Sequence, residues 1–384
     1  MPGANVTRVL ARTRLVRLLL LLLAVIVVIA LRQTDKLVYP QFWAEDAVVF
    51  YLEAEHQGAA SLVVPYNGYW HATPRLVALV GTHVPIAWLP SLYAYAAVAL
   101  TALFLAVLLE GGATTNRPIQ WACVFTVLLT PASGEIWATI TNVQWIAATG
   151  LVAILATPPP TTRSGRVLLL TMTALVALTG PFAILLWPCA ALRAWWWRDR
   201  YSLALLVLVT VGVLATAVAL SHHPRAEGLT TRISGTLLRV LQAAGRRPLE
   251  AVVVAATAAF LVTGTAIGVR RRDWPLVACG VACLCLTAGS ILTVPPEHLG
   301  ARYFFIPWIA GTWLALLLLD RGYRFAWAAV AAALVVSLAR FPLTPLQRYD
   351  WPRDAQCLET HATCNVTINP SWKVGLPGRG RLAS

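Results

Sequence analysis

Charge is what this chain has least of. Only 12% of its 384 residues are Asp, Glu, Lys or Arg, against about 25% in an ordinary soluble domain. Lysine occurs only at Lys36 and Lys373, and the acids number 16. No polar stretch is long enough to stand alone as a soluble domain, and no repeat of fixed period is present. The phosphate-cradling GxxxxGK[ST], a strand-bound GxGxxG, the zinc motif HExxH and the metal-nucleotide motif DxD are all missing, which argues against nucleotide-driven and zinc-protease chemistry. Cysteine is present seven times. Cys123, Cys189, Cys279, Cys283 and Cys285 lie in apolar runs and read as packing residues. No His or acid accompanies the last three, so no metal site is expected there.

What fills the chain instead is apolar. Hydrophobic residues make up 58% of it and the mean hydropathy is +0.69. Repeated long apolar runs predict an all-α polytopic membrane protein of eleven transmembrane helices. The expected spans are Leu18–Leu31, Ser91–Leu109, Ile119–Thr130, Val143–Ala156, Val167–Thr179, Phe182–Trp196, Leu203–Leu220, Leu249–Val269, Pro275–Val294, Tyr303–Leu319 and Phe325–Leu338. The net charge of +14 is spread as short Arg clusters at span ends. That fits the positive-inside rule at a plasma membrane better than a nucleic-acid surface. Arg8, Arg12, Arg14 and Arg17 place the N-terminus in the cytoplasm. No small-x-small site follows the first apolar run, so that run is expected to stay as a span. Counting spans places the C-terminus outside.

This divides the chain into a transmembrane module, residues 1–339, with a first outer loop at 33–90, and an outer tail at 340–384. Cys357 and Cys364 sit in that polar tail, where a disulfide requires an oxidising compartment. The outer segment 221–248 breaks the charge rule. It reads either as a solvated amphipathic helix or as an Arg cradle for phosphate.

The first outer loop carries the chemistry. Five of the acids fall between Asp35 and Glu55, and polar clusters beside membrane helices mark functional sites by default. Residues Gln41–Glu55 are expected as a short amphipathic helix at the membrane surface. Pro65-Tyr66-Asn67-Gly68 reads as a turn, followed by His71 and Arg75 one helical turn apart. Further polar groups reach the same face: Glu135, Asn142 and Gln144, His222, His223 and Arg225, Glu297 and His298, and Arg302 with Tyr303. Each has a plainer reading as a cap, a solvated loop residue or a salt bridge. Adjacent helical residues point about 100° apart, so Glu45 and Asp46 cannot share one task. Asp46 is taken as the general base, with Glu45 orienting the acceptor or pairing with Arg75.

A site on the outer face has no access to ATP or nucleotide-sugars, so an energised donor there must be lipid-linked. One carboxylate base and a set of cations for the departing phosphate would suffice. No cofactor is required, and nothing in the sequence supports a divalent metal. The run FWAEDAVVFYLEA, followed by YNGYWHATPR, resembles the first outer loop of bacterial multi-spanning glycosyltransferases of the GT-C fold. Glu45 and Asp46 match that family's acidic motif, although Ala47 stands where a glycine is commoner. The run EHLGARYFF is similar to a late outer-loop segment of the same proteins, with Arg302-Tyr303 the matching pair. The resemblance implies an inverting transfer from a polyprenyl-phosphate sugar to a glycan or glycolipid acceptor of the cell envelope. The runner-up is a transporter or lipid flippase, which should line mid-membrane helices with charge.

Overall fold

The structure is a computed structural model that describes residues 3–132, 134–222, 248–293 and 301–380. The described residues form fifteen α-helices and one two-stranded sheet. The helices are α1 Gly3–Arg32, α2 Asp35–Val38, α3 Leu52–Gln57, α4 Ala72–Gly81, α5 Leu89–Glu110, α6 Arg117–Leu128, α7 Val143–Ala156, α8 Arg163–Ala177, α9 Phe182–Trp197, α10 Arg200–His222, α11 Pro248–Arg271, α12 Trp274–Thr293, α13 Phe305–Asp320, α14 Ala326–Ala339 and α15 Trp351–Thr360. The strands are β1 Thr363–Ile368 and β2 Trp372–Pro377, antiparallel with Ile368 opposite Trp372. The tail is therefore not helical throughout.

Among the described residues, six helices are long and apolar enough to cross a membrane: Thr13–Arg32, Ile86–Glu110, Arg200–Ser221, Val252–Arg271, Trp274–Leu292 and Arg302–Asp320. The other expected spans fall on α6, α7, α8, α9 and α14, of 12, 14, 15, 16 and 14 residues. At about 1.5 Å of rise per residue these fall short of a hydrocarbon core about 30 Å thick.

The short helix α7 is the pillar of the fold, with every one of its residues buried. A helix apolar on all sides belongs inside a bundle, and α7 packs against α5, α8, α9, α12 and α13. Helix ends leave carbonyls without partners. Here the buried Arg193 Nη1 donates to the carbonyls of Leu155 (2.7 Å) and Thr157 (2.5 Å), and Trp274 Nε1 also donates to Leu155 (2.7 Å).

Polar contacts sort the connections onto two ends of the bundle. At one end Arg14 and Arg17 pair with Glu110, Asp320 accepts from Thr114 and Asn116, and Arg321 pairs with Asp273. At the other, Arg32 donates to the carbonyls of Leu128, Thr130 and Phe341, Gln33 to Thr344, and Glu135 pairs with Arg302.

The first loop departs from the expected surface helix. Residues 41–44 are not helical; the helix begins at Glu45, and a π-helical turn at Asp46–Tyr51 leads into α3. Its apolar side is covered by the tail rather than by lipid. Phe42 meets Trp351 edge-on at 4.9 Å and Tyr93 at 5.2 Å, within a cluster that includes Tyr51, Leu358, Val366, Ile368 and Leu376. Arg379 pairs with Glu55 and donates to the Val84 carbonyl. A disulfide between Cys357 and Cys364 joins α15 to β1. Loop and tail thus share one core, and removing its largest ring should be costly. Trp351→Ala is expected to destabilise this unit by about 3–5 kcal/mol. Thermal denaturation and proteolysis of the segment beyond residue 340 check this; an unchanged melting point would mean the two parts are independent.

Candidate active site

A cavity of about 610 Å³ opens at the end of the bundle that carries the first loop. Its walls come from five places: Trp43 and Glu45, the turn Tyr66–His71, the segment Thr141–Trp145, the start of α9, and Arg302 with Tyr303. Below them the lining turns apolar, with Ile184, Leu185, Leu220, Leu286, Ile306 and Pro307. One end is thus polar and aromatic, the other aliphatic.

Glu45 and Asp46 diverge, and the backbone shows why. Ala44 sits in the left-handed region at φ +40°, a conformation costly for a residue with a Cβ. It is held there by its N–H, which donates to the Asn369 carbonyl at 2.7 Å. The turn sends the half-buried Glu45 to the cavity wall and Asp46 inward, where it is 2% exposed. Asp46 does not line the cavity. Its Oδ1 accepts from the N–H of Thr141 (2.9 Å) and from the Thr141 hydroxyl (2.5 Å), and its Oδ2 from the Trp43 N–H (3.4 Å). Burial raises its pKa to about 6 despite those bonds and the attraction of Lys36.

The other acids of the loop are also engaged. Asp35 pairs with Arg348, Glu53 with Arg75, and Glu55 with Arg379. Arg75 therefore pairs with Glu53, not with Glu45, and lies outside the cavity wall. Glu45 alone among these five makes no hydrogen bond or ion pair with a described residue.

His71 precedes α4 and is 2% exposed, ringed by Phe50, Tyr66 and Tyr69 at centroid distances of 5.3, 5.7 and 4.8 Å. Neither ring nitrogen makes a full hydrogen bond. Burial, reinforced by the Arg75 charge, lowers its pKa to about 3, while the Tyr66 backbone opposes the shift. It is a neutral imidazole at pH 7. Burial and the nearby Glu45 both raise the pKa of Tyr66, so its hydroxyl stays protonated. Arg302 donates to Glu135 Oε2 at 3.0 Å and to the Tyr303 hydroxyl at 3.2 Å. Asn142 donates to the Glu135 carbonyl at 3.0 Å.

The structure thus brings Glu45, Tyr66, His71, Asn142, Gln144, Arg302 and Tyr303 to one cavity. His222 is the last residue of α10. His223, Arg225, Glu297 and His298 lie outside the described residues. Trp43, Tyr69, Glu135, Thr141 and Trp145 complete the wall. Of these only Glu135 stood out as a polar outlier in the sequence. Behind Trp43 lies Lys36, buried, with Nζ 4.8 Å from the indole centroid and no hydrogen-bond partner. Burial lowers its pKa to about 8 against the pull of Asp46 and Glu135. Among the described residues, one grouping has metal-ligand proximity, Cys357, His361 and Cys364. Its two thiols are consumed by the disulfide. Comparison with protein families, curated proteins and solved structures finds no match for this chain.

Two outcomes follow from these contacts. Asp46→Ala leaves the Thr141 and Trp43 donors buried without an acceptor and should cost about 1–3 kcal/mol in thermal unfolding. His71 is held neutral, so its contribution is complete above pH 6.5 and is lost as pH falls toward 3. Asp46 acts oppositely between 3.8 and about 6, because its protonated form is favoured in the fold, but its shift is smaller. The melting temperature should therefore fall on acidification below pH 6.5, and His71→Gln should flatten that fall. A wild-type slope in the variant would remove His71 as its cause.

Proposed function

We propose that this chain is a membrane glycosyltransferase that moves a sugar from a polyprenyl-phosphate donor to a glycan or glycolipid acceptor on the extracytoplasmic face. The observation that carries this reading is Glu45, among the described residues the one uncommitted carboxylate on the wall of a cavity that is polar at one end and aliphatic at the other. A donor with a charged, hydroxylated head and a hydrocarbon tail has that same polarity. The aliphatic wall is supplied in part by α10, α12 and α13, which are long enough to lie alongside lipid.

Base assignment moves from Asp46 to Glu45. Asp46 spends its lone pairs on Thr141 and Trp43, whereas Glu45 is free to accept a proton. In the proposed step Glu45 takes the proton of the acceptor hydroxyl as that oxygen forms its bond to the anomeric carbon. The bond from that carbon to the phosphate oxygen breaks, and the phosphate leaves with the electron pair. Attack opposite the leaving group inverts the anomeric centre. Arg302 is the cation on the described wall able to stabilise the departing charge. The charged wall groups belong to connections at one end of the bundle rather than to mid-helix positions, which favours transfer over flipping.

The same reading assigns membrane sides. The bundle end bearing Glu110, Asp273 and Asp320 faces the cytoplasm with the N-terminus, and the cavity and tail face outside. The Cys357–Cys364 disulfide supports the outer placement. The five shorter helices α6–α9 and α14 then complete eleven crossings as tilted or shallow members of the bundle. Transfer from purified polyprenyl-phosphate sugars to envelope acceptors tests the proposal. Glu45→Gln should lower turnover more than about 10²-fold while leaving the fold intact. Wild-type turnover in that variant would rule Glu45 out as the base.

A further inference from the structure

Three polar side chains on the cavity wall are each more than nine-tenths buried and lack a full set of partners. They are His71 (2% exposed), Gln144 (7%) and Trp145 (8%). Gln144 Oε1 and Trp145 Nε1 find no hydrogen-bond partner, and the His71 ring makes no full hydrogen bond, only a weak interaction with the Tyr66 backbone. A buried polar atom left unpaired costs about 1–3 kcal/mol, so this arrangement needs an explanation. Their placement is fixed by backbone. Residues 70–73 run beside 178–180: the Gly180 N–H donates to the Trp70 carbonyl (2.8 Å), and the Ala72 N–H to Leu178 (2.9 Å). Thr179 Oγ1 accepts from the Thr73 N–H at 3.1 Å. This seats His71 against Thr179. Gln144 reaches the same segment from α7, since a Cβ on Gly180 would lie 2.4 Å from its Oε1. Trp145 is the next residue of α7, held edge-on between Phe182 (5.0 Å) and Tyr303 (5.6 Å).

We infer that His71, Gln144 and Trp145 form a neutral subsite that binds sugar hydroxyls, with the phosphate of the donor held apart from it at Arg302. The inference rests on the glycosyl-transfer reading for the identity of its ligand as a sugar. The chemistry of the subsite is its own. A neutral imidazole offers one donor and one acceptor, the amide oxygen an acceptor, and the indole N–H a donor. Two donors and two acceptors complement hydroxyl groups, each of which both gives and takes. The phosphate of the donor is a diester with no proton to give, so it would face two acceptors here and find no cation. Arg302 lies on the wall beyond Tyr303 and supplies one. The absence of a side chain at Gly180, whose φ is +86°, is what leaves Gln144 its position.

The test uses the full chain in nanodiscs and a panel of methyl pyranosides and furanosides, read by saturation-transfer NMR, with inorganic phosphate as competitor. At least one glycoside should bind, phosphate should leave it bound, and Glu45→Gln should keep binding while losing transfer. Gln144→Leu removes the amide oxygen and nitrogen at near-constant volume, and it should weaken glycoside binding about tenfold and leave the melting temperature unchanged or higher, because an unpaired buried oxygen has gone. Trp145→Phe removes the indole N–H together with one ring and should weaken glycoside binding to a similar extent. A purely structural role would do the reverse, lowering the melting temperature with binding untouched, and would overturn the subsite. Gly180→Ala should resemble Gln144→Leu in binding. If the wild type binds no glycoside, or phosphate displaces the glycoside, the subsite is refuted even where transfer proceeds. Binding that follows this pattern without any transfer would keep the subsite and reject the transferase reading.

Discussion

Putting an ionised carboxylate where water cannot reach it is unfavourable unless donors replace the lost hydration. Asp46 meets that condition with three donors, two of them from Thr141, which lies 95 positions later in the chain. That contact joins the first loop to the segment that opens α7. Since α7 is enclosed by its neighbours and closed at its far end by Arg193 and Trp274, the loop is anchored to the least deformable part of the bundle. Glu45, one residue away, inherits a fixed position without spending its own carboxylate on holding it. Adjacent acids thus divide between anchorage and exposure to the cavity.

The wall of the cavity follows the same economy of position. Glu135 and Arg302 neutralise each other across 3.0 Å, and Tyr303 braces both Arg302 and Trp145. Lys36 underlies Trp43 as a buried cation facing two carboxylates. Balanced charges at the polar end leave Glu45 as the unpaired acid among the described residues, against a neutral floor of imidazole, amide and indole. The aliphatic end continues this gradient toward the helices that have lipid-like exterior surfaces, such as α10 with Leu203, Val207, Val211 and Leu214 exposed.

Much of this was legible because polar residues are rare in so apolar a chain. His71, Asn142, Gln144, Arg302 and Tyr303 stand out against their neighbours, and helical geometry alone separates Glu45 from Asp46. What could not be read is which of the two turns inward. That is decided by Thr141 and by the carbonyl of Asn369, partners remote in sequence and ordinary in type. Trp43, Tyr69 and Trp145 were hidden for another reason: aromatic rings also belong at membrane interfaces, so composition does not separate wall from belt. The extent of the bundle was legible as apolar runs, and so was the shortness of α6–α9 and α14, whose expected spans are themselves short; what could not be read is that α7 is the one enclosed on every side, which depends on its neighbours. The helix expected at 41–55 starts only at Glu45 and opens with a π-helical turn, and the face that looked bound for lipid is covered by the tail.

The bond from the Ala44 N–H to Asn369 has a bearing on biogenesis. Ala44 is made early, and the carbonyl that fixes its unusual backbone comes more than three hundred residues later. At ribosomal speeds of about 5–20 residues per second that is an interval of many seconds. Throughout it the first loop is already emerging while its latch has not been synthesised. On the proposed reading, Glu45 would take up its orientation at the cavity only when the end of the chain arrives, and a polypeptide cut before Asn369 would lack that latch.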